Sequence, residues 1–335
     1  MRIPEPRGAL SRQVTGALRD PEGGGFADIE WTAGDADVIA DEDVQLALWM
    51  LYELHYRGFD DAGSDHEWDP NAIVLRGRIE AVFEQQLRVC TRDVVGDALA
   101  ASDDLTTQIE LVIDAMDGPS LSTFLHRKTT AEQILDFLAQ RSLYHLKESD
   151  PHSFVLPRVD GRTKVALAEL QYDEYGAGRP DRLHASLFAE ALAACGLDAT
   201  YGAYIDLVPG HTLAINNVMS LFGLQRRLRG AALGHLTAFE ATSSVPCRRI
   251  AAGIERVGLP DAVAAYYHEH VEADAVHEQI AMRDICGSLV EEVPHLRADV
   301  LFGVAACLHL DAIAATGLLT GWNDGVTLPT EKVAS

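Results

Sequence analysis

Along most of this chain apolar residues recur every three to four positions, the period of an amphipathic helix. No stretch alternates with the period of two that a half-buried strand requires. Asp41-Glu42-Asp43 puts negative charge at the helix end where the macrodipole favours it. Val44, Leu48 and Leu51 then carry an apolar stripe on to Leu54 and Tyr56, until Gly58 stops it. Asp69-Pro70 reads as an N-cap with proline in the first turn, followed by Ile73, Leu75, Ile79, Val82, Phe83 and Leu87. Further helices are predicted over 103–115 and 130–146, the second opened by a capping box in Thr130-x-x-Gln133. Beyond residue 148 the pattern predicts a helix over 162–175 that ends at Gly176-Ala177-Gly178. The next starts at Arg179-Pro180 and runs through His184 to Cys195, before Gly196. Segments around 212–229, 231–241 and 246–257 follow, then a Gly258-Leu259-Pro260 turn, an unbroken helix over 262–282 and a closing helix over 296–319. Residues 1 to about 38, rich in Pro and Gly, lack periodicity and read as a lead-in arm. The expected fold class is all-α, with a helical support region over 1–130 and a second region over 131–335 that carries the chemistry.

Composition narrows the function classes. With 335 residues, 47% hydrophobic and 23% charged, the chain has enough apolar material for one large domain or two moderate ones. A formal net charge of -24, from 27 Lys+Arg against 51 Asp+Glu, argues against a nucleic-acid partner, which needs a basic face, and against an anionic membrane surface. The five cysteines are scattered and include no Cys-x-x-Cys, which suits a reducing compartment and not a thiolate metal site. The N-terminal residues have no apolar run of the kind a signal peptide needs, so a cytoplasmic protein is expected. The apolar segment 300–322 carries His309 and Asp311 near its middle, as a buried core helix would.

The candidate chemistry centres on His270, Asp274 and His277. At about 100° per residue, positions i, i+4 and i+7 fall within about 60° of each other on one helical face. Two imidazoles and a carboxylate on one face suit a borderline divalent metal, iron above all. A solvated polar helix can show the same spacing, so companions must decide. Within the second region they are Glu148, Glu174, His184 and Glu240, with Asp150 able to stand in for Glu148. Glu240 sits on a mostly apolar stretch where a buried acid would be costly without a cation. Four carboxylates and three histidines suffice for two metal ions in a helix bundle. The ferritin-like alternative needs Glu-x-x-His on two helices, and this chain has only Glu292-Val293-Pro294-His295, broken by its proline. There is no phosphate-binding glycine loop and no Gly-x-Ser-x-Gly elbow.

Asp173-Glu174-Tyr175-Gly176-x-Gly178 followed by His184, then Glu240, then His270-x3-Asp274-x2-His277, with Glu148 26 residues before Glu174, resembles the haem-oxygenase-like di-iron oxidases, also called iron-containing redox enzymes. The resemblance spans roughly 148–319 and implies a haem-oxygenase-like helical bundle holding two Fe(II) per chain. Glu148, Glu174, His184, Glu240, His270, Asp274 and His277 would be the metal ligands, all but Glu148 also counted as catalytic. The expected division gives Glu174, His184 and His277 to one iron and Glu148, His270 and Asp274 to the other, with Glu240 between. The family reduces O2 to a peroxo-bridged species with an external reductant, then desaturates, cyclises (to an azetidine, for example), cleaves a C–C bond or oxygenates an amine nitrogen. Its small-molecule substrates are often amino acids, for whose carboxylate Arg158, Lys164, Arg179 and Arg182 are the nearest cations in sequence. His235 and His309 are candidates for a supporting shell, while His55, His145, His211 and His268 are assigned to packing or the surface. The N-terminal helices resemble the region some members use to form homodimers. The layout is similar to the nitrosourea-forming, N-oxygenating branch, whose cupin domain this chain, ending at Ser335, is expected to lack.

Overall fold

The structure, a computed structural model, describes residues 1–19, 25–34, 37–116 and 118–328, and at 272–276 the backbone only. Every regular element among the described residues is helical, in agreement with the all-α expectation. The α-helices are α1 (Ala9–Arg19), α2 (Glu42–Glu53), α3 (Pro70–Ala101), α4 (Leu105–Ala115), α5 (Leu121–Arg127), α6 (Ala131–His145) and α7 (Asp150–Ser153). They continue with α8 (Gly161–Glu174), α9 (His184–Ala194), α10 (Gly210–Leu224), α11 (Arg229–Val257), α12 (Asp261–Gln279), α13 (Ser288–Glu292) and α14 (Arg297–Asn323). The sequence signals act where they were read. Asp41 and Asp69 accept from the first N–H groups of α2 and α3, and Thr130 with Gln133 closes the capping box of α6.

α11 is the central helix, with α12 and α14 along its sides, α5 against its C-terminal half and α10 beside it. Glycines set the α11–α14 crossing: a Cβ at Gly234 would be driven into the Val300 carbonyl, and one at Gly303 into the Ala231 carbonyl. The N-terminal helices pack onto this frame, α2 on α10, α3 and α4 on α14. α14 has the length and hydropathy of a membrane span, yet it runs through the core, as His309 and Asp311 implied for a buried helix.

Four expectations are corrected. The lead-in arm contains α1, whose Leu10, Val14, Ala17 and Leu18 form a buried stripe at helical spacing that the flanking Pro and Gly obscured. The segments 231–241 and 246–257 are one 29-residue helix, α11, with Pro246 inside it. Packing against α12, α14 and α5 holds that helix together across the hydrogen bond the proline cannot donate. The helix expected from Arg179 starts only at His184, because Leu183 is extended at ψ 123°. The long helix over 262–282 is α-helical through Gln279 and then widens into a π-helical segment, Ile280–Gly287, whose Ala281 carbonyl lies 3.3 Å from the Thr237 hydroxyl of α11.

Candidate metal centre

The proposed ligands come from five places in the fold. Glu148 lies in the turn after α6, pinned by its neighbour Lys147, whose ammonium donates to buried Glu53 of α2 at 3.2 Å. Ser149 follows with a left-handed backbone (φ 70°), which turns the chain sharply into α7. Glu174 is the last residue of α8 and His184 the first of α9, ten residues apart in sequence. They meet because Gly176 (φ 77°) folds the chain back so tightly that a Cβ there would sit 2.6 Å from the Leu183 nitrogen. Glu240 is near the middle of α11, and His270 and His277 are two turns apart on α12. The side chain of Asp274 lies outside the described residues.

Two trios of ligand atoms result, each within 4.8 Å mutually: Glu148, His184 and His270, and Glu174, Glu240 and His277. This differs from the expected division, in which His184 sided with Glu174 and His277. α9 packs on both α12 and α6, which sets His184 beside His270, their rings 4.6 Å apart. His184 Nδ1 nevertheless lies 2.9 Å from Glu174 Oε2, so the two trios adjoin. His270 Nε2 is 3.7 Å from Glu148, and His277 Nδ1 is 3.5 Å from both Glu174 and Glu240. All six side chains are buried.

The surroundings fix which nitrogen faces the carboxylates. His270 Nδ1–H donates to the Tyr266 carbonyl at 2.8 Å, leaving Nε2 to face Glu148. His277 Nε2–H points at Asp173 at 3.4 Å, leaving Nδ1 for Glu174 and Glu240. The Tyr266 hydroxyl donates to Glu148 at 3.0 Å and lies 2.7 Å from His145 Nδ1; the Ser149 hydroxyl donates to Glu174 at 3.2 Å. Burial opposes charge on all three histidines, yet the carboxylates prevail. Glu148 pushes His270 up to about 10, Glu240 and Glu174 push His277 up to about 9, and Glu174 raises His184. Burial alone would raise Glu148, but His145 and His270 hold it well below the usual carboxylate range.

Divalent metal fits this donor set. His184 Nδ1, His270 Nε2 and His277 Nδ1 are buried and lack a hydrogen-bond partner, although each is aimed at carboxylate oxygens. Buried polar atoms are rarely left so. Nitrogen and oxygen donors without a thiolate suit iron or its neighbours in the first transition row.

Beside the ligands is a cavity of about 190 Å³, with Glu148, Glu174, Glu240 and His270 in one wall and mainly apolar and aromatic groups, such as Phe137, Leu236 and Phe239, in the rest. Arg158, Lys164, Arg179 and Arg182 are not in its wall. Arg158 donates to the Gly223 carbonyl, and the others pair near the surface with Asp160, Asp181 and Glu269. Asp150 accepts from Tyr175 and joins neither trio. His309 lines a separate outer cavity, and His235 packs against His152 and Phe239 without reaching a ligand. His145, assigned to packing or the surface, instead stands 3.4 Å from Glu148. Tyr266, His152 and Ser149 also escaped the sequence reading, although Tyr266 lies four residues before His270 and so extends the comb by one turn.

Residues 135–312, a little over half of the chain, match a family described as iron-containing redox enzyme. The matched span begins in α6, ends in α14 and contains all seven proposed ligands. The chain is also similar to the nitrosourea synthase of Streptomyces achromogenes subsp. streptozoticus, 29% identical over 155 residues, which make up 46% of this chain and 33% of that protein. The match thus spans a third of the relative's length. A family match over the helices that bring these histidines and carboxylates together, in an all-helical fold, makes the chain a member of the iron-containing redox enzymes, an oxidoreductase of haem-oxygenase-like fold.

Proposed function

We propose that this oxidoreductase is a non-haem di-iron, O2-dependent oxidase acting on a small, amino-acid-derived substrate. The observation that carries this reading is the pair of adjoining trios, with three buried imidazole nitrogens aimed at carboxylates and without hydrogen-bond partners. Glu148, His184 and His270 would hold one Fe(II), Glu174, Glu240 and His277 the other, and the spacing on α12 adds Asp274. Iron bound there would supply the O2 and one-electron chemistry that side chains lack. The chain's own residues position the ligands: Tyr266 holds Glu148, Ser149 holds Glu174, and Asp173 sets the tautomer of His277. Tyr144 and Phe239, stacked with centroids 5.2 Å apart, give the cavity an aromatic wall that limits water. At about 190 Å³, the cavity suits a small substrate.

In this reading the products are those of C–H abstraction: desaturation, ring closure such as azetidine formation, or C–C cleavage. O2 and an external reductant are consumed in the cytoplasm, and the helices up to about residue 130 serve a homodimer. A second reading, amine N-oxygenation at the same site, is favoured by the similarity to nitrosourea synthase. The test is to load Fe(II) anaerobically, admit O2 and follow visible absorption. A transient whose lifetime responds to an added amino acid supports the oxidase. A lifetime unaffected by any amino acid, fatty acid or amine leaves an iron-binding protein instead. Product mass separates the two oxidative readings: loss of two hydrogens for desaturation or ring closure and loss of a carbon fragment for C–C cleavage, against gain of an oxygen for N-oxygenation.

A further inference from the structure

The cavity beside the metal ligands also carries a charge pair. Arg141 of α6 and Asp311 of α14 face each other in its wall, Arg141 Nη2 3.3 Å from Asp311 Oδ1. Among the described residues Arg141 is the only lysine or arginine lining this cavity. The same two side chains, with Phe137, Pro246 and Ile250, also line a second cavity of about 320 Å³, which reaches the surface at Ser120 and Arg249. The pair therefore stands where an outer vestibule adjoins the inner, ligand-bearing chamber.

Resting on the oxidase reading above, we propose that Arg141 and Asp311 are a zwitterion clamp that selects an α-amino acid with an apolar side chain and directs that side chain toward Glu148 and His270. The pair is joined through one nitrogen and one oxygen, so Arg141 keeps further N–H donors, and Asp311 a second oxygen, for a ligand. An α-carboxylate placed on Arg141 and an α-ammonium on Asp311 leave the net charge of the site unchanged. A fatty acid would set its lone negative charge beside Asp311, and a simple amine its positive charge beside Arg141, so the pair discriminates against both. α6 supplies the ruler. Phe137, Arg141 and His145 are spaced by four on one helical face; from Arg141 to His145 the helix rises by roughly 6 Å, and Glu148 stands 3.4 Å from His145 in the turn that follows, a span on the scale of an amino acid side chain. Phe137, Phe239 and Leu236 give that span the apolar lining a hydrocarbon side chain requires.

The test is calorimetric titration of the full chain, as purified and again after anaerobic Fe(II) loading, with L-norleucine, L-valine, L-isoleucine and L-methionine. Hexanoate and pentan-1-amine are norleucine without its ammonium and without its carboxylate. At least one amino acid should bind. Norleucine should exceed both truncated analogues by about tenfold or more, and R141Q and D311N should each weaken amino-acid binding by about tenfold or more, with R141K intermediate. The analogue comparison uses the unaltered protein, so it stands even if a variant misfolds. The clamp is overturned if either analogue binds about as well as norleucine, if no amino acid binds at roughly 10 mM, or if folded R141Q keeps unaltered affinity. Iron stoichiometry separates the two readings. Clamp-dependent binding without iron uptake would sink the oxidase and keep the clamp, and iron uptake without amino-acid binding would do the reverse.

Discussion

His270 shows how one side chain can be dispensable for the fold and necessary for the site. Its Nδ1 is tied to the carbonyl one turn back on its own helix, so only Nε2 faces outward to Glu148. His270→Ala should therefore lower iron content from two toward one per chain while circular dichroism stays unchanged; two irons in that variant would contradict the assignment. Charge at the same residues predicts a pH dependence. With no metal, His270 and His277 titrate at about 10 and about 9, above the ordinary 6.5. A histidine raised in the fold contributes stability that is fully present below its unfolded value and is lost as pH rises through its folded value. The Tm of the metal-free protein should fall between pH 6.5 and 10, and Zn(II), taking the same nitrogens, should reduce that fall and release protons on binding. A metal-free Tm that is flat or rising over that range would refute this. Helical spacing picks out His270 and His277 on one face of α12, and both face carboxylates in the fold. His145 and Tyr266 were not legible in the sequence, because what qualifies them is that α6 and α12 approach each other, which no local spacing encodes.

At the scale of elements, the turn from α8 into α9 is the sharpest dependence of chemistry on backbone. Gly176→Ala would place a Cβ 2.6 Å from the Leu183 nitrogen, at a φ of 77° that alanine tolerates poorly. The substitution should cost about 2 kcal/mol or more and draw His184 away from Glu174. Urea denaturation would give the first effect and iron stoichiometry the second; a variant with unaltered stability and two irons would show that the turn has slack. The existence of most long helices after residue 38 was legible from periodicity and caps. Helix continuity was less so, since Pro246 looks like a break to local rules and is overridden by the neighbours packed around α11. α1 was hidden by composition for the converse reason: flanking Pro and Gly outweighed a correct apolar stripe.

For the whole molecule, the two trios differ in kind. One has two imidazoles and one carboxylate, the other two carboxylates and one imidazole. Because imidazole suits Fe(II) better than carboxylate does, the trio of Glu174, Glu240 and His277 should load second and lose its iron first. Anaerobic Fe(II) titration should show two steps of unequal affinity, and a single step ending at one iron per chain would defeat the di-iron reading. The molecule must also join this centre to its core without a mismatch, and there the π-helical segment after His277 has a part. Its turns take up more residues than an α-helix of the same rise, so it works as a phase corrector along one continuous rod. Before it, the rod turns His270 toward the cavity; after it, the same rod buries Leu289 and Val290. Inserting one alanine beside exposed Arg283 should slip one half by about 100° against the other. The lengthened chain should lose either iron uptake or its cooperative melting, and keeping both would show that the two halves need no common phase.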